Sequence, residues 1–451
     1  MAQEIETLAG FVARTRWNDV PESVQRHAKL VFLDTLGVIL AGSKQPEVQK
    51  LQEKFQATAG RGATVLARGL EQNDPRSAAL LNGTAGRSIE LCEGHRFVSC
   101  QAAVQVLPGI LATGEFLRRN GSEMLTALVL AYEVSIRLGA ALRQRALAHQ
   151  NGQTALVGAA AGGAYLRQFD AARISRSMRI AATFMLTPSY TNAVAGATTL
   201  NAAGGMCGMA AILAPEMAEA GFLAQDDAIE EALAHLVGDG YEPAGMLDEL
   251  GERWEITRNS FRLRACCNPM YASLEAFEEA LADLGAGAGD IERVEGYTYR
   301  FASAMNSQNP RNGFASKYSF PHAAAAIALR GNAGYGSFTE EFVADPAVIE
   351  LRRRITLSHD PALDANFPRI KPARVTVTLK DGRQTTRSCD SPRGDFQRPY
   401  EESEIREKFR ELAGLVLTEE GVAEVENAVQ DAENWKDFKV LTDLLRRHQR
   451  A

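Results

Sequence analysis

Two segments built from small residues constrain the fold more than any other feature of this chain. Residues 155–164 read ALVGAAAGGA, and residues 201–213 read NAAGGMCGMAAIL. Each glycine in a helix costs about 1 kcal/mol relative to alanine, so tight packing must offset that cost. Small side chains allow helix backbones to approach closely. We therefore predict two central helices of a compact bundle rather than phosphate-binding loops, which would each follow a strand.

The first 260 residues or so have the apolar spacing of successive helices. Residues 23–41 are the clearest case, with a dense helical pattern that ends near Gly42. Asp34 lies inside this pattern. A carboxylate in an apolar helix is costly unless it is paired, so we expect Asp34 to have a hydrogen-bonding partner.

The pattern changes after Leu284. Residues 285–290 (GAGAGD) are loop-like, and the aromatic residues of the next segment alternate as in a strand: Tyr297, Tyr299 and Phe301. Residues 374–386 predict a hairpin, because apolar residues alternate up to an Asp-Gly turn. The helical pattern returns after Glu401.

These patterns predict a mainly α fold with three parts. Residues 1–269 form the first part of a large all-helical domain. Residues 270–394 form a smaller, inserted α+β lid domain. Residues 395–451 are C-terminal helices that return to the large domain.

Composition excludes several classes of protein. The 49 basic and 56 acidic residues give a net charge of −7, which does not suit a nucleic-acid-binding protein. The run of arginines Arg352–Arg354 is therefore interpreted as a solvated helix face. The acidic N-terminus lacks the layout of a secretory signal, and residues 30–41, the longest apolar run, contain Asp34, so no membrane span is expected. Six scattered cysteines do not suggest a disulfide framework, and we expect a cytoplasmic protein.

Several short motifs resemble the MmgE/PrpD family, whose members include 2-methylcitrate dehydratase, cis-aconitate decarboxylase and iminodisuccinate epimerase. The motifs that carry the resemblance span nearly the whole chain and occur in the family's order. They are residues 33–42 (LDTLGVILAG), 89–93 (IELCE), 106–108 (VLP), 149–152 (HQNG), 158–161 (GAAA), 262–267 (RLRACC), 316–322 (SKYSFPH), 380–383 (KDGR), 393–395 (RGD) and 407–409 (EKF).

The resemblance implies a helical domain with an α+β lid, a cleft between them, a homodimer, and chemistry that needs no metal or cofactor. The family's reactions mostly act beside a carboxylate: loss of water, loss of carbon dioxide, or inversion at carbon. Removal of a proton next to a carboxylate places a second negative charge on that group. Such a site needs a base with a pKa near neutrality, which suits histidine, and a cation, which suits lysine or arginine.

The first candidate site residues lie in the family's acidic loop. Here it carries Glu90, Cys92 and Glu93, followed by His95 and Arg96. The resemblance would place histidines at positions 101 and 105, where this chain has Gln101 and Gln105. Glutamine can orient a substrate but cannot exchange protons near neutral pH. We therefore assign Glu93 and His95 as catalytic candidates, with Arg96 and Gln101 as substrate-binding candidates.

The remaining candidates follow from the later motifs. His149 matches a histidine of the family and is the main candidate for proton transfer, with Tyr318 as a further catalytic candidate. The substrate-binding candidates are Arg262, Tyr271, Lys317 and His322. At positions 197 and 198, where many members carry a substrate-binding lysine, this chain has Ala197 and Thr198.

Simpler interpretations remain for these residues. His95 and His149 lie near glycines, where histidines are often only hydrogen-bonded loop residues. Cys92, Cys100 and His95 could supply three metal ligands, but their spacing matches no common pattern. The adjacent pair Cys266 and Cys267 is more typical of buried apolar thiols.

The sequence thus predicts a cofactor-independent lyase, of dehydratase or decarboxylase type, that acts on a small carboxylate. One alternative is an isomerase or epimerase on the same scaffold. A third is a non-catalytic dimeric member that binds an acidic ligand, since Gln101, Gln105 and Ala197 all depart from the family pattern.

Overall fold

The computed structural model describes residues 2–55, 57, 62–66, 69–95, 97–365, 367 and 369–450. The α-helices are α1 (Ala2–Arg14), α2 (Glu22–Gly42), α3 (Pro46–Gln52), α4 (Pro75–Ser88), α5 (Ala102–Leu117), α6 (Gly121–Ala141), α7 (Thr154–Leu166), α8 (Ala171–Ala182), α9 (Tyr190–Val194), α10 (Ala202–Glu219), α11 (Ala228–Glu231), α12 (Tyr271–Leu284), α13 (Arg300–Ser303), α14 (Gly313–Ser316), α15 (Phe320–Arg330), α16 (Glu340–Val343), α17 (Pro346–Arg352), α18 (Glu402–Ala413), α19 (Glu419–Gln430) and α20 (Lys439–Arg447). The strands are β1 (Ala63–Thr64), β2 (Gln72–Asn73), β3 (Gly94–His95), β4 (Leu142–Gln144), β5 (Gly238–Tyr241), β6 (Asn259–Ser260), β7 (Ile291–Thr298), β8 (Ile355–His359), β9 (Ala373–Leu379) and β10 (Gln384–Cys389). The prediction of a mainly α protein is confirmed.

The chain divides into two compact units. Unit 1 contains Met1–Ser189, Thr199–Ser260 and Glu401–Ala451, and unit 2 contains Tyr190–Thr198 and Phe261–Tyr400. The domain bounds predicted from the sequence, and the role of a lid, stay predictions.

The core of unit 1 is built around the two helices of small residues. Helix α10 packs against α4, α5 and α7, and α7 packs against α6. A Cβ atom on Gly163 of α7 would lie only 1.7 Å from the Ala211 carbonyl oxygen on α10. Gly83 of α4 and Gly204 of α10 are in similarly close contact, since a Cβ on Gly204 would lie 2.6 Å from the Gly83 oxygen. The predicted close approach of these helices is confirmed.

Asp34 has the partner that its position demands. It is fully buried in α2, and its Oδ1 lies 2.6 Å from Nζ of Lys408 on α18. The same ammonium donates to the Leu91 carbonyl oxygen at 2.6 Å. The pair therefore ties a C-terminal helix of unit 1 both to α2 and to the loop after α4.

Helix α6 is long and apolar enough to cross a membrane by length and composition alone. However, 89% of its apolar window is buried within the folded chain. It begins with a capping box, in which Asn120 accepts from the Glu123 N–H while Glu123 accepts from that of Asn120. These features are typical of a core helix.

Unit 2 contains a four-stranded sheet with the order β10-β9-β7-β8. Strand β7 is antiparallel to β9 and parallel to β8, and helix α12 packs against β9 and β10. The predicted hairpin is confirmed as β9 and β10, which pair from Ala373↔Cys389 to Thr378↔Gln384.

Two expectations for unit 2 are wrong. Tyr299 and Phe301 do not continue the strand, because β7 ends at Thr298, Tyr299 caps the short helix α13, and Phe301 belongs to that helix. Arg352 is not solvated: it is 3% exposed, because α17 packs against α15 and this side chain is on the packed side. Arg353 is solvated as expected, with a side chain that is 66% exposed, whereas Arg354 is 30% exposed; both follow the end of α17.

Candidate functional site

A buried ion pair marks the end of α4. The Arg87 guanidinium donates to Glu90 Oε2 at 3.0 Å, and both side chains are almost completely buried. Glu90 has a φ of +56°, a left-handed conformation that is uncommon for residues other than glycine. Gln101 holds the other carboxylate oxygen, since its Nε2 lies 3.3 Å from Glu90 Oε1. The acidic loop is thus anchored from both sides at a strained residue.

Asn151 joins this loop to the segment before α7. Its side-chain oxygen accepts from Arg87 Nε at 2.8 Å and Nη2 at 3.2 Å, and its nitrogen donates to Gln101 Oε1 at 2.9 Å. Asn151 is fully buried. Arg87, Glu90, Gln101 and Asn151 form one closed network, which we call the amide network.

Gln105 lies on α5, one turn after Gln101, and connects the amide network to Gly152. Its Nε2 donates to the Gln101 carbonyl oxygen at 2.8 Å, and its Oε1 accepts from the Gly152 N–H at 2.8 Å. Gly152 has a φ of +84°, which glycine adopts without strain. Gln105 therefore fixes the turn that leads into α7.

His149 sits at the other end of this turn and is only 2% exposed. Its backbone N–H donates to the Pro188 carbonyl oxygen at 2.9 Å, and its Nδ1 accepts from the Asn151 N–H at 3.3 Å. A neutral ring whose Nδ1 accepts a hydrogen bond carries its proton on Nε2. The residues around His149 thus select one tautomer.

Glu93 has both oxygens engaged by its own unit. Oε1 accepts from the Ala103 N–H at 2.9 Å, at the start of α5, and Oε2 accepts from the Tyr132 hydroxyl at 2.8 Å. Burial, followed by the charge of Glu93, raises the pKa of the Tyr132 hydroxyl. Glu93 is 0% exposed, and its carboxylate caps the first turn of α5 through the bond from the Ala103 N–H.

His95 lies in the short strand β3, which pairs with β6. Its Nδ1 accepts from the Val98 N–H at 3.3 Å, and its Nε2 lies 3.2 Å from Glu255 Oε2. Burial would raise the pKa of Glu255, but hydrogen bonds from His95 and Arg253 outweigh it and lower that pKa to about 2. Both nitrogens of His95 therefore contact the protein, and the ring holds the loop against the segment before β6.

Unit 2 brings two of its sequence motifs side by side. The N–H of Cys267, in the cysteine-pair motif, donates to the carbonyl oxygen of Lys317 at 2.9 Å. Lys317 is 6% exposed and follows α14. Tyr318 is 1% exposed, and its ring packs edge-on against Phe314 at 5.6 Å between centroids.

Arg262 and Tyr271 lie around the same cysteine-pair motif. Arg262 is 4% exposed, and Tyr271 begins α12 with its ring 5.4 Å from the Arg264 guanidinium. The Tyr271 hydroxyl donates to the Arg264 carbonyl oxygen. Burial raises the pKa of this hydroxyl well above its usual range. Tyr271 therefore remains protonated and is held by the backbone.

His322 lies on α15, and each of its ring nitrogens contacts a residue outside that helix. Its Nε2 lies 2.8 Å from the Ser337 carbonyl oxygen, and its Nδ1 lies 3.3 Å from Nη1 of Arg352. Burial lowers the pKa of His322 to about 4, an effect that the Ser337 carbonyl opposes and the charges of Arg352 and Lys317 reinforce. His322 is therefore neutral at physiological pH.

Of the candidates from the sequence, Glu93, His95, Gln101 and His149 lie in unit 1, and Arg262, Tyr271, Lys317, Tyr318 and His322 lie in unit 2. Arg96 is outside the described residues. The amide network adds three residues that were not selected as site residues, namely Arg87, Glu90 and Asn151, and Gln105 beside it is a fourth. The spacing of Arg87 and Glu90, three residues apart at a helix end, was the signal that could have found this pair.

The described cysteines are all buried free thiols. Burial raises the pKa of Cys100 and of Cys207, so neither is activated as a thiolate. Within the residues that the structure describes, no group of three or more histidine, cysteine or acidic side chains is placed to hold a metal ion.

Unit 1 is mainly helical and contains the buried polar network, and unit 2 combines helices with a four-stranded sheet. The MmgE/PrpD N-terminal domain matches residues 6–237, and the MmgE/PrpD C-terminal domain matches residues 265–434. The chain belongs to the MmgE/PrpD family.

Similar proteins include several cis-aconitate decarboxylases. That of Aspergillus terreus is 23% identical over 95% of this chain and 93% of its own length. That of Mus musculus is 23% identical over 98% of this chain and 93% of its own length, and that of Homo sapiens is 31% identical over 32% of this chain and 29% of its own length. These relatives place the chain in a family that contains lyases of the decarboxylase type.

Proposed function

We propose that this protein is a lyase that decarboxylates a small carboxylate with two or three carboxyl groups. Support comes from the similarity to cis-aconitate decarboxylases along nearly the whole chain. The observation that carries the proposal is the environment of His149, a buried histidine whose tautomer is selected by the Asn151 N–H. Dehydration of a related substrate is the closest variant of this proposal.

The chemistry of decarboxylation gives His149 a specific role. When the bond to the departing carboxyl group breaks, its electron pair stays on the carbon skeleton, and a carbon atom must then take up a proton. His149 is proposed to deliver this proton as a general acid, which requires its ring to be in the imidazolium form when it donates, since a neutral ring would have to become an imidazolate. Lys317 and Arg262 are proposed as substrate-binding residues, because a cation stabilises the negative charge of a carboxylate.

The remaining site residues are proposed to support this reaction. Glu93 and His95 are proposed to position the acidic loop, because their polar atoms contact the protein. Tyr318 remains a candidate proton donor. We also propose that the protein is a cytoplasmic homodimer and that the reaction needs no cofactor.

The test is to incubate the protein with cis-aconitate and with a panel of di- and tricarboxylates in D2O. Released carbon dioxide and the products' NMR spectra report decarboxylation. We expect His149→Asn to lower kcat by about 10²–10⁴-fold, which is typical for loss of a general acid or base. His235→Asn is the control, because His235 lies exposed on the short π-helix Ala232–Leu236.

Three outcomes would contradict decarboxylation. Deuterium that enters a substrate without release of carbon dioxide would favour the isomerase, and water loss alone would favour the dehydratase. An acidic ligand that stabilises the protein without any turnover would favour the non-catalytic member. Equal activity of the His149→Asn and His235→Asn variants would remove His149 from the mechanism.

A further inference from the structure

Arg352 is a buried cation with no carboxylate partner among the residues that the structure describes. It ends α17, is 3% exposed, and forms no ion pair with any acidic residue in the described ranges. Its Nε is buried without a hydrogen-bond partner there. A charged group removed from water is costly unless it is paired, so this guanidinium has an unmet need for an acceptor.

The neighbour that Arg352 does have cannot neutralise it. Nη1 lies 3.3 Å from His322 Nδ1, and His322 Nε2 lies 2.8 Å from the Ser337 carbonyl oxygen. With Nε2 donating to that carbonyl, Nδ1 is left as an acceptor. His322 is thus a neutral residue that orients the guanidinium and adds no negative charge.

A second cation, Lys317, lies near the His322 ring. The Lys317 ammonium is 5.0 Å from the centre of the Phe338 ring, and that ring is 5.3 Å from the His322 ring. Both positive charges are close enough to disfavour protonation of His322. Lys317 and Arg352 keep 6% and 3% of their surfaces exposed. Positive charge is therefore concentrated in a largely dehydrated part of unit 2.

We propose that Arg352, oriented by His322 and assisted by Lys317, forms a binding site for a small oxyanion in unit 2. The planar guanidinium suits two oxygen atoms of a carboxylate or a phosphate, and the ammonium adds a second charge. The site shares Lys317 with the residues proposed to bind substrate, but the proposal concerns anion binding by Arg352 and its test requires no turnover.

The test is isothermal titration calorimetry on the full chain in a chloride buffer, with inorganic phosphate and acetate as separate probes. We expect saturable binding of at least one probe to the wild type. Arg352→Met should weaken that binding by on the order of ten-fold or more, as expected for loss of a charge-assisted hydrogen bond. Arg353→Met is the matched control, since it removes the same charge one residue away from an exposed side chain.

The two probes distinguish the source of the anion. Tighter binding of acetate assigns the site to a carboxylate, and tighter binding of phosphate assigns it to a phosphate group. If neither probe binds the wild type saturably, or if the Arg352→Met and Arg353→Met variants lose affinity equally, the proposal is overturned. If Arg352→Met does not fold, Lys317→Met decides: weaker binding supports the site, and unchanged binding overturns it.

Discussion

The buried pair of Lys408 and Asp34 permits a quantitative prediction about stability. Their side chains are 4% and 0% exposed, and the 2.6 Å contact between them is accompanied by the bond from Lys408 to the Leu91 carbonyl. Lys408→Met keeps most of the apolar volume but leaves the carboxylate and the carbonyl without their donor. Breaking a buried pair in this way costs about 3–5 kcal/mol, so we expect a loss of that size in the free energy of unfolding.

Urea unfolding followed by circular dichroism measures this loss, and the chain supplies a matched control. Lys439 pairs with Asp443 at 3.3 Å, but their side chains are 61% and 51% exposed. Lys439→Met should therefore cost less than about 1 kcal/mol. Equal losses in the Lys408→Met and Lys439→Met variants would refute the reasoning.

The loss in Lys408→Met should also depend on pH. Burial raises the pKa of Asp34, while Lys408 lowers it. Without Lys408 the folded protein holds the Asp34 proton more tightly, so the carboxyl group can remain neutral at low pH. The stability of such a group is present below its unfolded pKa and is lost as pH rises through its folded pKa. We therefore expect a smaller cost at pH 5 than at pH 8, and a cost that fell with rising pH would contradict this account.

Three further predictions concern the packing of Gly163, the protonation of Glu133 and the metal content of the protein. Gly163→Ala should destabilise the protein by several kcal/mol, because the added Cβ would lie 1.7 Å from the Ala211 oxygen. Gly289→Ala is the control and should be nearly neutral in urea-induced unfolding, because no atom lies within 4 Å of its added Cβ. Burial raises the pKa of Glu133 to about 7 from 4.5. The stability that the protonated Glu133 carboxyl contributes is therefore lost as pH rises through that range. Over the same range, the free energy of unfolding of the wild type should fall by up to about 3 kcal/mol relative to that of Glu133→Gln. A difference between the two proteins that did not change with pH would contradict the raised pKa. Elemental analysis of purified protein should find no stoichiometric metal, and activity, if present, should survive a chelator.

Local patterns in the sequence were enough to predict much of the fold. Helices α2, α7 and α10 were recognisable because apolar spacing and small side chains are set by neighbours along the chain. The need of Asp34 for a partner was also predictable from its apolar surroundings. The identity of that partner was not, because Lys408 approaches only when α18 packs against α2.

The candidate site was harder to predict from the sequence for the same reason. The position of His149 could be found from its motif, but its tautomer depends on the backbone of Asn151. The contact of Asn151 with Arg87 needs α4 and α7 to pack against the same two helices, α5 and α10, which no local pattern encodes. Arg352 was misjudged because the overall acidity of a chain says nothing about the burial of one side chain.

Two glutamines where the resemblance implied histidines have a structural consequence that bears on function. Gln101 joins Glu90 to Asn151, and Gln105 fixes the turn at Gly152. Both side chains thus contribute to the position of the Asn151 backbone, whose N–H reaches His149. The amide network therefore acts on the proposed chemistry through one hydrogen bond to the His149 ring.

A double-mutant cycle tests that connection. Asn151→Ala removes the acceptor of the buried Arg87, so we expect a loss of stability of about 1–3 kcal/mol. It should also lower kcat per folded molecule, because the backbone N–H that reaches His149 Nδ1 is no longer held in place by the side-chain contacts of Asn151 with Arg87 and Gln101. If Asn151 acts through His149, the Asn151→Ala/His149→Asn double variant should have the kcat of His149→Asn alone. Independent, multiplicative losses in kcat would show instead that Asn151 contributes by another route, and the amide network would then not be what positions the proton donor.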